Sequence, residues 1–100
     1  MMQKKKSGIF KMNFKECTFL IYGKDNCPHC VRAKEFAKQK GLNFIYKKLG
    51  EDFTKEELVL KCSPVIPKTV PRIFYECGVD TVYVGTADEF IAFINTELGE

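Results

Sequence analysis

Cys17-Thr18-Phe19-Leu20-Ile21-Tyr22-Gly23-Lys24-Asp25-Asn26-Cys27-Pro28-His29-Cys30 is the stretch that decides the fold. Its first six residues form a β-branched and aromatic run that ends at Gly23, the pattern of a buried strand. After the turn Gly23-Lys24-Asp25-Asn26, Pro28 falls where a proline suits the first helical turn. Val31, Ala33, Phe36, Ala37 and Lys40 then recur at helical spacing until Gly41 stops the helix. Residues 43–48 predict a second strand, and an intervening helix makes the two strands parallel through a right-handed crossover. The unit is βαβ.

Beyond it, Thr54 with Glu57 three residues on is a capping-box pattern, and Leu58, Val59 and Leu60 carry a short helix to about Cys62. Ser63-Pro64 and Pro67 break it. Residues 71–75 predict a third strand and 81–84 a fourth, with Glu76 to Asp80, Gly78 included, as the loop of an antiparallel hairpin. Thr86 and Glu89 repeat the capping-box spacing ahead of Phe90, Ile91, Phe93, Ile94 and Leu98, one apolar face of a terminal helix. The order is β-α-β-α-β-β-α, with no repeat, linker or phosphate-binding glycine loop. One domain over 16–100, preceded by a basic, flexible extension over 1–15, is the organisation expected.

A Cys-x-x-Cys pair between a strand and a helix puts the first sulfur at the helix start and the second one turn inside, close enough to bridge. Cys27 would face unpaired backbone N–H groups and the positive end of the helix dipole, which favour a thiolate, whereas Cys30 is shielded by the first turn. Cys27 is therefore the attacking sulfur and Cys30 the resolving one. A helix terminus contributes up to about 2 kcal/mol, about thirty-fold in an ionisation equilibrium. Further donors are needed for a largely ionised thiol at neutral pH, and the Cys30 thiol, local backbone N–H groups and the charge of Lys24 are at hand.

Composition narrows the function. The 100 residues are 45% hydrophobic and 29% charged with a net charge of +3, ordinary for a globular domain and too weakly basic to argue for nucleic acid. Lys4-Lys5-Lys6 reads as a solvated tail, and charge interrupts the following residues before any signal-peptide core forms. No apolar run approaches the roughly 20 residues of a membrane span. Five cysteines are an odd number, and without an export signal a reducing compartment, the cytoplasm, is expected. Cys17, Cys62 and Cys77 lie in no motif and are expected in core or passive surface roles, Cys77 in the hairpin loop. A closed zinc site needs four ligands, and neither a second Cys-x-x-Cys nor a His pair exists.

From about Thr18 to Leu98 the chain resembles the glutaredoxin family on three motifs. Lys24 precedes Cys27-Pro28-His29-Cys30 at the family spacing. Thr69-Val70-Pro71 followed by Arg72-Ile73-Phe74 is similar to its Thr-Val-Pro loop and strand, and Gly85-Thr86-Ala87-Asp88-Glu89-Phe90 to its Gly-Gly-x-x-Asp-Leu turn. The resemblance implies an α/β, thioredoxin-like fold with a central four-stranded mixed sheet flanked by helices. It implies a monomer that reduces protein disulfides and glutathione mixed disulfides, with glutathione as co-substrate and no tightly bound cofactor or metal. Ribonucleotide reductase is among the candidate targets.

It further implies a cis bond before Pro71, which leaves the Val70 backbone for the cysteinyl part of glutathione. Lys24 would lie near the glycyl carboxylate, Thr69 beside the cysteine pair, and Asp88 and Glu89 around the glutamyl end, with Lys68 and Arg72 adding positive field. Thr86 stands where the family has a second glycine and Glu89 where it has aspartate, so Glu89 either binds ligand or only caps Thr86. His29 replaces the usual Tyr, and by stabilising the Cys27 thiolate it would make the disulfide a stronger oxidant. Two alternatives stay open: a thioredoxin-like electron donor, disfavoured because Asn26 stands where that family has Trp, and a glutaredoxin that carries an iron–sulfur cluster between two subunits.

Overall fold

The computed structural model describes residues 16–97. Its elements are β1 (Cys17–Gly23), α1 (Pro28–Gln39), β2 (Phe44–Lys48), α2 (Lys55–Cys62), β3 (Arg72–Cys77), β4 (Asp80–Gly85) and α3 (Ala87–Glu97). That is the order expected from the residue pattern. The basic extension over 1–15 and Leu98 of the terminal helix lie outside the described residues.

The sheet runs β2-β1-β3-β4. β1 pairs parallel with β2 and antiparallel with β3, and β4 closes an antiparallel hairpin on β3 with an irregularity at Ile73/Phe74. β1 is apolar and aromatic from Phe19 to Tyr22 because these residues are buried on both faces of the sheet. Phe19 and Ile21 lie with Ala33 and Ala37 of α1, Ile73 of β3, and Phe90 and Ile94 of α3. Leu20 and Tyr22 turn the other way, among Phe53, Leu58 and Cys62 on the α2 side and Phe74 of β3. Each fully buried Phe or Ile is worth about 1.5–3 kcal/mol, so this strand anchors the layers that carry the site. No helix among the described residues is long and apolar enough to cross a membrane.

Both capping boxes form. Thr54 Oγ1 accepts from the Glu57 N–H at 3.1 Å while Glu57 Oε1 accepts from the Thr54 N–H at 2.7 Å. At α3, Thr86 and Glu89 make the same exchange at 3.4 and 2.9 Å. At about 100° per residue, three consecutive apolar positions cannot share one helix face: Leu58 is buried, whereas Leu60 of the expected apolar run is exposed. Val31 of α1 is likewise half exposed.

Three expectations need correction. The hairpin loop is not Glu76 to Asp80, because Glu76 pairs with Thr81 and Cys77 with Asp80, leaving only Gly78-Val79 to turn the chain. Gly78 has φ +64° and no positive φ is found at Val79, the pattern of a II′ turn with glycine first. Cys77 therefore ends β3 instead of lying in a loop. Cys17 is buried in the core as expected, but neither it nor Cys77 stands alone: they face each other across β1 and β3 and are disulfide-bonded. Cys62 does serve as a buried core residue with a free thiol.

Candidate active site

The site is built where β1 gives way to α1, outside the carboxyl end of a strand, a position open α/β sheets commonly use for ligands. Cys27 is the N-cap of α1 with an extended backbone, and Pro28 follows inside the first turn. Its Sγ occupies the place of a capping oxygen and accepts from the Cys30 N–H at 3.2 Å. Cys27 and Cys30 are disulfide-bonded with Cα atoms 5.2 Å apart. Cys27 is 7% exposed and Cys30 0%, so only the first sulfur can be reached from outside.

Gly23 makes room for this packing. A Cβ there would fall 2.3 Å from Tyr46 Oη and 2.9 Å from Cys30 Sγ. Tyr46 donates its hydroxyl to the Lys24 carbonyl at 3.0 Å, and burial pushes its phenol up, so it stays a donor at neutral pH. β2 is thereby tied to the turn that precedes the cysteines.

The opposite wall is the loop before β3. The Val70–Pro71 bond is cis, as the family resemblance implied, and so is Ser63–Pro64, which no motif signalled. The Val70 carbonyl oxygen lies 3.8 Å from Cys27 Sγ. Arg72 holds this loop from behind: Nε donates to the Thr69 carbonyl at 2.9 Å, Nη2 reaches Thr69 Oγ1 at 3.4 Å, and Nη1 donates to Tyr83 Oη at 2.9 Å. Arg72 is buried and turned inward.

Between the walls is a cleft of about 530 Å³, with Lys24, Cys27, His29, Lys68, Thr69, Val70, Pro71 and Asp88 in its lining. Lys24 and Lys68 give it positive charge near the sulfur, which favours a thiolate and an anionic ligand. Of the residues expected there, Glu89 and Arg72 do not line it. Glu89 folds back on Thr86 to complete the cap. The His29 ring contact is with Arg32, Nδ1 to Nη1 at 3.3 Å. A guanidinium can only donate, so Nδ1 accepts. Arg32 also pairs with Asp88 across the rim, joining α1 to the start of α3 and holding the Asp88 carboxyl below the usual carboxylate range.

Cys62 does not line the cleft; it is buried on the α2 side of the sheet, in the core cluster against which Val70 packs. Burial pushes its thiol up against the opposing pull of Arg72 and Lys61. Among the described residues, no group of three or more His, Cys, Asp or Glu is gathered to hold a metal ion.

A two-cysteine couple at the start of a helix, facing a cis-proline loop on a four-stranded mixed sheet, defines a thiol–disulfide oxidoreductase of the thioredoxin-like class. Comparison with known proteins narrows this. The glutaredoxin family model matches residues 19–79. Glutaredoxin 1 of Escherichia coli strain K12 is 34% identical over 85 residues, 79% of this chain and 94% of its own. The glutaredoxin of Vibrio cholerae serotype O1 is 34% identical over 86 residues, 80% and 93% of the two chains. The NMR structure of reduced Escherichia coli glutaredoxin superposes with a TM-score of 0.66 at 33% identity, covering 83% of this chain and 99% of that one. The chain belongs to the glutaredoxin family.

Proposed function

We propose that this oxidoreductase is glutathione-dependent, that Cys27 is its nucleophile and that Cys30 resolves. The observation that carries the reading is the Cys27 sulfur itself, capping α1 through the Cys30 N–H and just reaching solvent at the floor of a positively charged cleft. A thiolate in that place gains a charge-assisted hydrogen bond and the field of the helix terminus.

With a glutathione mixed disulfide, the Cys27 thiolate attacks the glutathione sulfur and the substrate leaves as a thiolate that takes up a proton. A second glutathione thiolate then attacks the Cys27–glutathione bond, releasing glutathione disulfide and restoring Cys27. With a protein disulfide, Cys27 forms the mixed disulfide and Cys30 attacks the Cys27 sulfur, which frees the reduced protein and leaves the Cys27–Cys30 bridge. Two glutathione molecules reopen it and depart as their disulfide.

Lys24 takes the glycyl carboxylate in this reading. The Val70 backbone, between Thr69 and Pro71, takes the cysteinyl part, and the Asp88 edge takes the glutamyl end, with Glu89 acting through the cap. His29 tunes the couple. The protein works as a cytoplasmic monomer on disulfide or glutathionylated proteins, ribonucleotide reductase among the candidate targets. Glutathione-coupled reduction of a small mixed disulfide by wild type, Cys27→Ser and Cys30→Ser tests this. The first substitution abolishes turnover and the second leaves much of it. Turnover without Cys27 contradicts the assignment, and turnover with a thioredoxin reductase but not with glutathione contradicts the reductant.

A further inference from the structure

We propose that Cys17 and Cys77 form a second thiol–disulfide centre, closed by small disulfides and reopened by thiols, that braces the domain when oxidised. The centre does not depend on the role given to Cys27.

The sheet itself sets up the pair. Cys17 and Cys77 are directly opposed in the antiparallel register of β1 and β3, with Cα atoms 4.5 Å apart. That is the spacing of a non-hydrogen-bonded antiparallel pair, where side chains stand closest, and it lies within the range a disulfide spans. Bridging therefore needs no backbone movement. Both residues share the strand parity of Phe19 and Tyr75, which meet on the α1–α3 side, whereas Cys62 is buried on the α2 side. Cys62 cannot compete for either partner.

Access is unequal, as a stepwise exchange requires. Cys77 is partly exposed while Cys17 is buried. The Cys77 thiolate attacks one sulfur of a small disulfide, such as glutathione disulfide, and displaces one thiolate. Cys17, giving up its proton, then attacks the Cys77 sulfur of the mixed disulfide and displaces the second. Two protein thiols are oxidised to one bridge, and one small disulfide is reduced to two thiols.

Position separates this centre from the first and gives it a distinct effect. Cys17 begins β1 and Gly23 ends it, so six strand steps of about 3.3 Å put Cys17 roughly 20 Å from the strand end at which the Cys27–Cys30 turn begins. The bridge spans 60 positions, enclosing Cys27, Cys30 and the Thr69-Val70-Pro71 loop. A closed loop of that length restricts the unfolded chain strongly. Oxidation therefore raises stability and leaves the cleft unaltered.

The test uses the Cys27→Ser/Cys30→Ser chain, reduced and then equilibrated with glutathione disulfide. Free thiols are alkylated and the protein is mapped by mass spectrometry without reduction. The expected result is two thiols lost per chain, one peptide pair joined through Cys17 and Cys77, Cys62 still a thiol, and full reversal by a dithiol reductant. The melting temperature rises by about 10 °C or more on oxidation, and the rise disappears when Cys17→Ser or Cys77→Ser is added. Glutathione adducts or free thiols at both positions at every ratio of disulfide to thiol overturn the proposal, as does a bridge that leaves melting unchanged. Should the double variant not fold, wild type serves, because mapping assigns each bridge by residue. Cys17→Ser/Cys77→Ser in the otherwise wild-type chain keeps mixed-disulfide turnover within about twofold at temperatures where both proteins are folded; a larger loss overturns the separation of the two centres.

Discussion

Gly23→Ala separates the work of the two active-site sulfurs. The added methyl falls 2.3 Å from Tyr46 Oη, 2.8 Å from its Cζ and 2.9 Å from Cys30 Sγ. Overpacking of this kind costs about 1–3 kcal/mol, which for a domain of this size lowers the melting temperature by roughly 5–20 °C. Tyr46 can swing its far end at the expense of the bond to Lys24, but Cys30 sits on the first turn of α1, and any shift of its sulfur changes its alignment with Cys27. If about 1 kcal/mol of the strain falls on the step in which Cys30 attacks Cys27, that step slows about fivefold. Reduction of a protein disulfide needs this step and deglutathionylation does not. Measured below both melting transitions, Gly23→Ala loses at least about fivefold in the first assay and stays near wild type in the second. Adding Tyr46→Phe, which removes the most crowded atom, recovers part of the stability. Equal losses in both assays, or no loss in either, refute the reasoning.

Arg72→Ala strands the Thr69 carbonyl and the Tyr83 hydroxyl that Arg72 now satisfies. It costs about 1–3 kcal/mol in urea unfolding and raises KM for the mixed disulfide more than it lowers kcat; an unchanged KM contradicts its role behind the loop. Asp88 is held below the usual carboxylate range by Arg32. A depressed folded value means that the pairing contributes fully above the unfolded value and is lost as pH falls through the folded one. The Asp88 carboxyl followed by NMR therefore titrates lower in wild type than in Arg32→Ala, and coincident midpoints contradict the rim pairing. On the proposed role of His29 in favouring the thiolate, His29→Tyr makes the Cys27–Cys30 couple more reducing; equal reduction potentials end that role.

Local chemistry made most of the fold legible. β1 declares itself because both its faces are buried, so no polar alternation interrupts Phe19-Leu20-Ile21-Tyr22. The two capping boxes announce α2 and α3 through residues three positions apart. Cys27, Pro28 and Cys30 define a strand-to-helix junction within four residues. What escaped is long-range. Cys17 and Cys77 become neighbours only through the register of two strands separated by 60 positions, and no short motif encodes a register. A turn at Gly78-Val79 puts Cys77 inside a strand, but a valine in the second turn position hides that turn in the sequence. Arg72 reads as a source of field in the sequence because its partners, Thr69 and Tyr83, belong to a loop and a strand that only the folded sheet brings together. The crowding of Gly23 by Tyr46 and Cys30 likewise depends on β2 lying beside β1. A glycine closing a strand just before a reactive pair was the one available signal.

The central claim is that α1 holds the Cys27 sulfur as an anion. The rate of alkylation of Cys27 against pH, in a chain whose other cysteines are serine, reads it most directly. A midpoint well below that of free cysteine, with the thiolate predominating at neutral pH, is the predicted result. A curve that overlays free cysteine contradicts the account.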